Sequence, residues 1–255
     1  MIALIFRKFK IFLVELGQFA VLFLHIFKYT PRIFIDRKLI LEQMVHIGVN
    51  SFVLIAIIGL FTGAVSSWQV AYQIKGFMSF SYIGSATPKA IIIELGPVLT
   101  AIVLAGRIGA SISAELGTMK VTEQIDALES MGISPVRYLA MPKVVATMTM
   151  MPVLVIYASA IAIFGSYLVA VVFLDVPGAV YLNGFRKTFE LKDVWAGTVK
   201  AFFFGLSISS IGCFVGFETK GGAQGVGLST IKSFVISAAM ILILDAILWN
   251  FLIAA

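Results

Sequence analysis

The sequence predicts an all-α membrane protein with five transmembrane helices, an N-terminal interfacial helix and a short cytoplasmic helix between the second and third spans. Three observations lead there. Apolar residues make up 60% of the 255 and charged residues only 13%, whereas soluble domains carry about 25% charge. A 27.6 kDa globule keeps too much surface in water to hide that surplus, which excludes a soluble protein, and the low charge excludes a disordered chain. Five apolar stretches meet the requirement of about 20 residues, at 1.5 Å rise each, for a helix to cross the hydrocarbon. Lys and Arg are spread unevenly over the segments between them. Cys213 is the only cysteine, so a disulfide framework is excluded as well.

Residues 1–43 form a separate N-terminal segment. Within it 11–27 is apolar but interrupted by Glu15, Gln18 and His25, and Arg7, Lys8 and Lys10 precede it. A helix lying in the interface with a basic face fits this better than an inserted span. No small-residue cleavage pattern follows Phe27, so the segment is expected to stay in the mature chain. The transmembrane domain then occupies 44–255, with spans at 47–72, 89–113, 144–174, 194–217 and 231–253. The third would reach about 46 Å as one helix, so it must tilt, project from the membrane or bend at Pro152.

Five spans put the termini on opposite sides. An N-in arrangement assigns thirteen of the 19 Lys and Arg to the cytoplasmic side and five to the outer side, with Lys200 inside a span. The positive-inside bias therefore predicts a cytoplasmic N-terminus and a periplasmic C-terminus. The net charge of +6 is read as this orientation signal. Nucleic-acid binding is not expected, because the basic residues form no patch interleaved with aromatics.

A short helix is expected at 122–131 in the cytoplasmic loop. Thr122 is placed to cap it, Glu123 to occupy its first turn, and Gly132 with Pro135 to stop it. Val121, Ile125 and Leu128 share one face, while Glu123, Asp126 and Glu129 lie elsewhere around the axis. An interfacial loop helix is one reading. Acidic residues are unfavourable beside the anionic inner leaflet, so a groove on a partner protein is the other.

The chain shows no catalytic or metal-binding motif of its own. Its nearest approach to a P-loop is Gly222-Ala223-Gln224-Gly225-Val226-Gly227-Leu228-Ser229, with Leu228 where the phosphate-binding Lys belongs. Three ionisable residues fall well inside the spans: Glu94, Lys200 and Asp245. All three lie roughly 8 to 12 Å from the outer boundary at 1.5 Å per residue, so one polar layer is expected. Such groups either hold helices together as an ion-paired trio or line a cavity. In the second case Lys200 would meet a lipid phosphate, with Glu94 and Asp245 setting the local charge. Pro97 implies an irregular helix that exposes backbone polar groups to such a cavity. Arg107 and Glu115 sit near the inner end of the second span, where an arginine snorkels to headgroups or pairs with a carboxylate. The pairs Gly59/Gly63 and Gly212/Gly216 suit close helix contact, within one subunit or between two.

The runs Glu94-Leu95-Gly96-Pro97-Val98-Leu99-Thr100-Ala101, Ala105-Gly106-Arg107-Ile108-Gly109-Ala110 and Ala114-Glu115-Leu116-Gly117-Thr118-Met119-Lys120-Val121-Thr122-Glu123-Gln124-Ile125-Asp126-Ala127-Leu128 resemble the signature of the MlaE permease family. The likeness extends from about Val45 onward, through Met131-Gly132-Ile133 and the Gly221–Gly227 run. It departs at Ile93, where relatives often carry Arg. The resemblance implies a non-catalytic permease subunit of an ABC transporter in the bacterial inner membrane. It implies a homodimer, a cytoplasmic ABC ATPase dimer that binds ATP and Mg, and a periplasmic MCE-domain protein hexamer. Phospholipid is the implied cargo, in a cavity between two copies touched by Glu94, Lys200 and Asp245. The segment Thr122, Glu123, Gln124, Ile125, Asp126, Leu128, Glu129 and Met131 becomes the coupling helix that docks on the ATPase. The alternatives are an MCE-linked importer of sterol or fatty acid, or a proton-coupled secondary transporter using Glu94 or Asp245.

Overall fold

A computed structural model describes residues 2–33, 35–76, 79 and 82–252, with backbone alone for 2–9, 11, 12 and 32. Among the described residues, eight helical elements longer than a single turn follow one another: α1 Ile2–Tyr29, α2 Arg37–Ile74, α3 Ile83–Val121, α4 Gln124–Ser130, α5 Val136–Val172, α6 Gly178–Thr188, α7 Leu191–Phe217 and α8 Gly222–Leu252. No strand occurs among the described residues. Among the described residues, the five helices long and apolar enough to cross a membrane are α2, α3, α5, α7 and α8, one for each expected span. They outrun the apolar stretches because a helix continues for as long as its backbone bonds close, whatever its side chains. At 39 residues, α3 measures about 58 Å against roughly 30 Å of hydrocarbon. The helical run of α5 continues through Pro152, so the third span takes up its length without a break there.

The central helix is α7, with 72% of its most apolar stretch buried against 22% for α8 and 28% for α2. Outward sides of α2 and α8 carry Val53, Ile57, Phe61, Val235, Leu242 and Phe251, all exposed, as suits lipid contact. Both glycine pairs are consumed inside the subunit. A Cβ at Gly63 would fall on the Ala162 carbonyl, and one at Gly165 on that of Leu60, so α2 and α5 touch backbone to backbone. A Cβ at Gly216 would stand 2.7 Å from that of Leu116, and one at Gly212 would stand 3.0 Å from the Gly109 carbonyl, which brings α7 onto α3. Without water to drive association, such close van der Waals contact is what joins helices in lipid.

At the end of the bundle bearing α6, a buried chain of hydroxyls ties three elements. Ser67 Oγ donates to the Ser166 carbonyl at 3.0 Å and lies 2.7 Å from Ser166 Oγ, which is 2.8 Å from Tyr181 Oη. Burial pushes the Tyr181 phenol up to about 12, so it keeps its proton at every physiological pH. At the other end α1 lays Ile26 and Leu22 on the core and sets Phe19 edge-on to Phe214 at 5.6 Å. Its opposite side leaves Leu13, Leu16 and Leu24 exposed. The Arg137 guanidinium grips Asp36 with two bonds of 3.0 and 3.1 Å, fixing the connection from α1 to α2.

Gly63→Val is expected to destabilise the chain by about 1–3 kcal/mol, the usual cost of overpacking a closed contact, whereas Gly17→Ala, whose Cβ meets nothing within 4 Å, should not. Thermal unfolding in detergent checks this, and equal midpoints for the two variants would refute backbone contact between α2 and α5.

Candidate functional site

The polar layer begins with a proline. Pro97 has no N–H, so the Ile93 carbonyl four residues earlier loses its helical partner. The preceding turn, Ile91–Leu95, is wound as a π-helix, with the Gly96 N–H bonded five residues back to Ile91. Into this gap reaches Lys200 from α7, donating to the Ile93 carbonyl at 3.4 Å and to Glu94 Oε2 at 2.6 Å. Gly197, one turn earlier on α7, permits the approach, since a Cβ there would stand 2.6 Å from the Ile92 carbonyl.

Asp245 of α8 brings Oδ1 to 2.8 Å from the same ammonium, a charge contact outside hydrogen-bonding angles. The ring of Trp249, one turn further along α8, lies 4.9 Å beneath it. All three residues expected to share a depth therefore meet at one point. Their exposures differ in a way that matters: Lys200 has none, Asp245 13% and Glu94 36%. Glu94 and Trp249, with Ala86, Lys89, Ala90 and Ile93, line an open concavity of about 460 Å³. Lys200 stands behind that wall and does not line it. One cation faces two carboxylates, a formal charge of −1. Trp249 and the Ile93 carbonyl were missed from sequence, although the first sits four residues from Asp245 and the second four before Pro97, both readable helical offsets.

The short loop helix is present as α4, with two corrections. Thr122 does not cap it: its hydroxyl bonds back to the Thr118 carbonyl at 2.8 Å and closes α3 instead. Glu123 precedes the helix in the left-handed region at φ 59° and provides no side-chain cap. Gly132 stops α4 as expected, at φ 74°, with the Ile133 N–H reaching the Leu128 carbonyl at 2.9 Å in a Schellman turn. Ile125 is buried and Leu128 packs against the core, so the apolar face is occupied by this chain itself. The outward face holds Glu123, Gln124, Asp126, Glu129 and Met131, all exposed, and Asp126 pairs with Lys120 at 2.7 Å. Toward the α4 end of α3, Arg107 bonds the Ser51 hydroxyl, while Glu115 pairs with Lys143 at 2.7 Å.

The family model described as Permease MlaE matches residues 40–251. The chain is 33% identical over 219 residues to the intermembrane phospholipid transport system permease protein MlaE of Haemophilus influenzae, covering 86% of this chain and 84% of that one. It is 40% identical over 206 residues to a probable ABC transporter permease protein of Rickettsia typhi, covering 81% and 80%. Another of that name, from Synechocystis, is 37% identical over 209 residues, covering 82% and 80%.

Lys200→Met should destabilise the chain by about 3–5 kcal/mol, because it strands the largely buried Asp245 and the part-buried Glu94 without their cation. Adding Asp245→Asn should return part of the loss. A thermal unfolding midpoint unchanged by Lys200→Met would contradict the ion-paired arrangement.

Proposed function

The chain belongs to the MlaE permease family, and from that premise we propose that it is the membrane subunit of an ATP-driven transporter moving phospholipid between the inner membrane and the cell envelope. The observation that carries the reading is the concavity at Glu94. Its wall joins apolar side chains to one carboxylate, the ammonium of Lys89 and one indole, the mixture a two-part molecule with acyl tails and a polar head requires. In this reading Lys200 holds Glu94 and Asp245 in place and the head meets Glu94. The concavity is open in one subunit, and a second copy closes it in a homodimer.

The short α4 faces the cytoplasm and docks on an ATPase dimer that binds ATP and Mg, while α6 lies on the periplasmic side with an MCE-domain hexamer above it. The N-terminus is cytoplasmic, the C-terminus periplasmic, and α1 lies in the inner interface. Docking uses the acidic face with Met131, since Ile125 and Leu128 are turned inward. A push on α4 travels along α3, which follows it in space through Thr122 and Glu123 and carries Glu94 at its far end. The work of hydrolysis is supplied by the partner chain, and this chain contributes the path and the cargo site.

Reversing the charge at Glu123 and Asp126 together should abolish ATP-dependent lipid transfer by the complex in proteoliposomes and leave the fold intact, because the exposed Lys120–Asp126 pair is worth no more than about 1 kcal/mol. Transfer that persists would favour a secondary transporter. Glu94→Gln should slow the same transfer about tenfold, the equivalent of one charge-assisted hydrogen bond; an unchanged rate would remove Glu94 from the cargo site.

A further inference from the structure

A second cleft gathers polar side chains from three spans at the α4 end of the bundle. Gln43 and His46 come from α2, Arg107, Ser111 and Glu115 from α3, and Lys143 from α5. Lys143 is 3% exposed and sits between Glu115 Oε2 at 2.7 Å and Gln43 Oε1 at 3.3 Å. That pair is neutral as a unit. Arg107 is different: its guanidinium donates to the Ser51 hydroxyl, and among the described residues no carboxylate pairs with it. A guanidinium carries five donors in a planar fork, so most of them are left for a ligand. The cleft has a formal excess of +1 with His46 neutral, the opposite sign to the layer at Glu94.

Arg107 lies within a second π-helical turn of α3, Ala105–Gly109. The first such turn holds Glu94, and the two residues are about 20 Å apart along the helix at 1.5 Å per residue. Glu115 is about 32 Å from Glu94 on the same scale. With a hydrocarbon thickness of roughly 30 Å, a polar layer about 10 Å inside one boundary places Arg107 at the opposite boundary, where lipid phosphates lie.

We propose that this cleft binds the phosphate group of a phospholipid in the leaflet on the α4 side, a second lipid station opposite in sign and membrane depth to Glu94. Arg107 supplies the fork that matches phosphate geometry. The Lys143–Glu115 pair, neutral as a unit, lies behind it and closes the cleft, and Ser111 and His46 form the exposed rim. The enclosed space is about 30 Å³, the share of one water, so the phosphate rests across the mouth while glycerol and tails remain in the bilayer. The proposal needs the spans to sit in a membrane and does not need the transport reading.

Native mass spectrometry of the purified full chain in detergent, titrated with palmitoyl-oleoyl phosphatidylglycerol, tests it. Arg107→Gln should weaken the tightest binding event about tenfold, and Arg107→Lys should keep part of it. Ser111→Phe, which covers the rim without touching an ion pair, should have a comparable effect, and Asn183→Ala, exposed on α6 at the other end of the bundle, should have none. Unchanged affinity in both Arg107→Gln and Ser111→Phe would overturn the site. Displacement of the lipid by inorganic phosphate at equal concentration would overturn the lipid assignment and leave a site for the free anion. Loss of transfer by the complex with this binding intact would count against the transport reading alone.

Discussion

Hydrocarbon offers no partner to a backbone carbonyl, so any irregularity in a spanning helix must be satisfied from within the protein. That constraint organises the site. Pro97 withdraws the donor for the Ile93 carbonyl, and the ammonium of Lys200 takes its place. An ammonium so deeply buried needs carboxylates, and Glu94 and Asp245 supply them from two other helices. Three spans are thereby pinned at one depth by a single side chain with no exposure. The replacement of either carboxylate, of the proline or of Gly197 would disturb the same knot, because each depends on the others for its partner.

Around that knot the bundle is held by close approach more than by side-chain bulk. Gly63 and Gly165 let α2 and α5 share carbonyl contacts, and Gly212 and Gly216 do the same for α7 on α3. Glycine inside a helix costs about 1 kcal/mol relative to alanine, a loss offset when two backbones come into van der Waals contact along a turn. The consequence is a firm inner frame of α3, α5 and α7. The outer faces of α2 and α8 remain apolar and open. At the α6 end, Tyr181 and its serine partners extend the frame to a helix outside the spans.

Hydropathy and charge made the architecture legible. Five spans, their order, the short loop helix and the common depth of Glu94, Lys200 and Asp245 all follow from helical rise and the cost of charge in lipid. Contacts between distant segments were not legible. Arg137 and Asp36 are 101 positions apart, and Glu115 finds Lys143 rather than Arg107, because periodicity assigns a residue to a face and says nothing of which helix that face meets. Thr122 shows a local version of the same limit. A threonine before an acidic turn reads as an N-cap, yet its hydroxyl also reaches the carbonyl four residues back, and the end of α3 was the stronger claimant. The two π turns of α3 left no signal beyond Pro97, which marks one of them.

The geometry of α3 sets it apart from the other spans. It carries two π turns, Ile91–Leu95 and Ala105–Gly109, with an α-helical segment, Gly96–Leu104, between them, whereas α5 opens on a single one, Val136–Ala140. A π turn adds a residue to the helix, widens it and frees carbonyls locally, which is why such turns gather at functional positions. Here each coincides with a charged residue turned toward a partner on another helix, Glu94 toward Lys200 and Arg107 toward Ser51. At its end α3 passes through the left-handed Glu123 into α4, a conformation that costs a non-glycine residue roughly 1–2 kcal/mol. A continuous helical line thus runs from the exposed acidic face of α4 to the charge cluster at the far side of the bundle. Neither α7 nor α8 offers such a line: both hold a charge of the knot, but neither adjoins α4 in the chain.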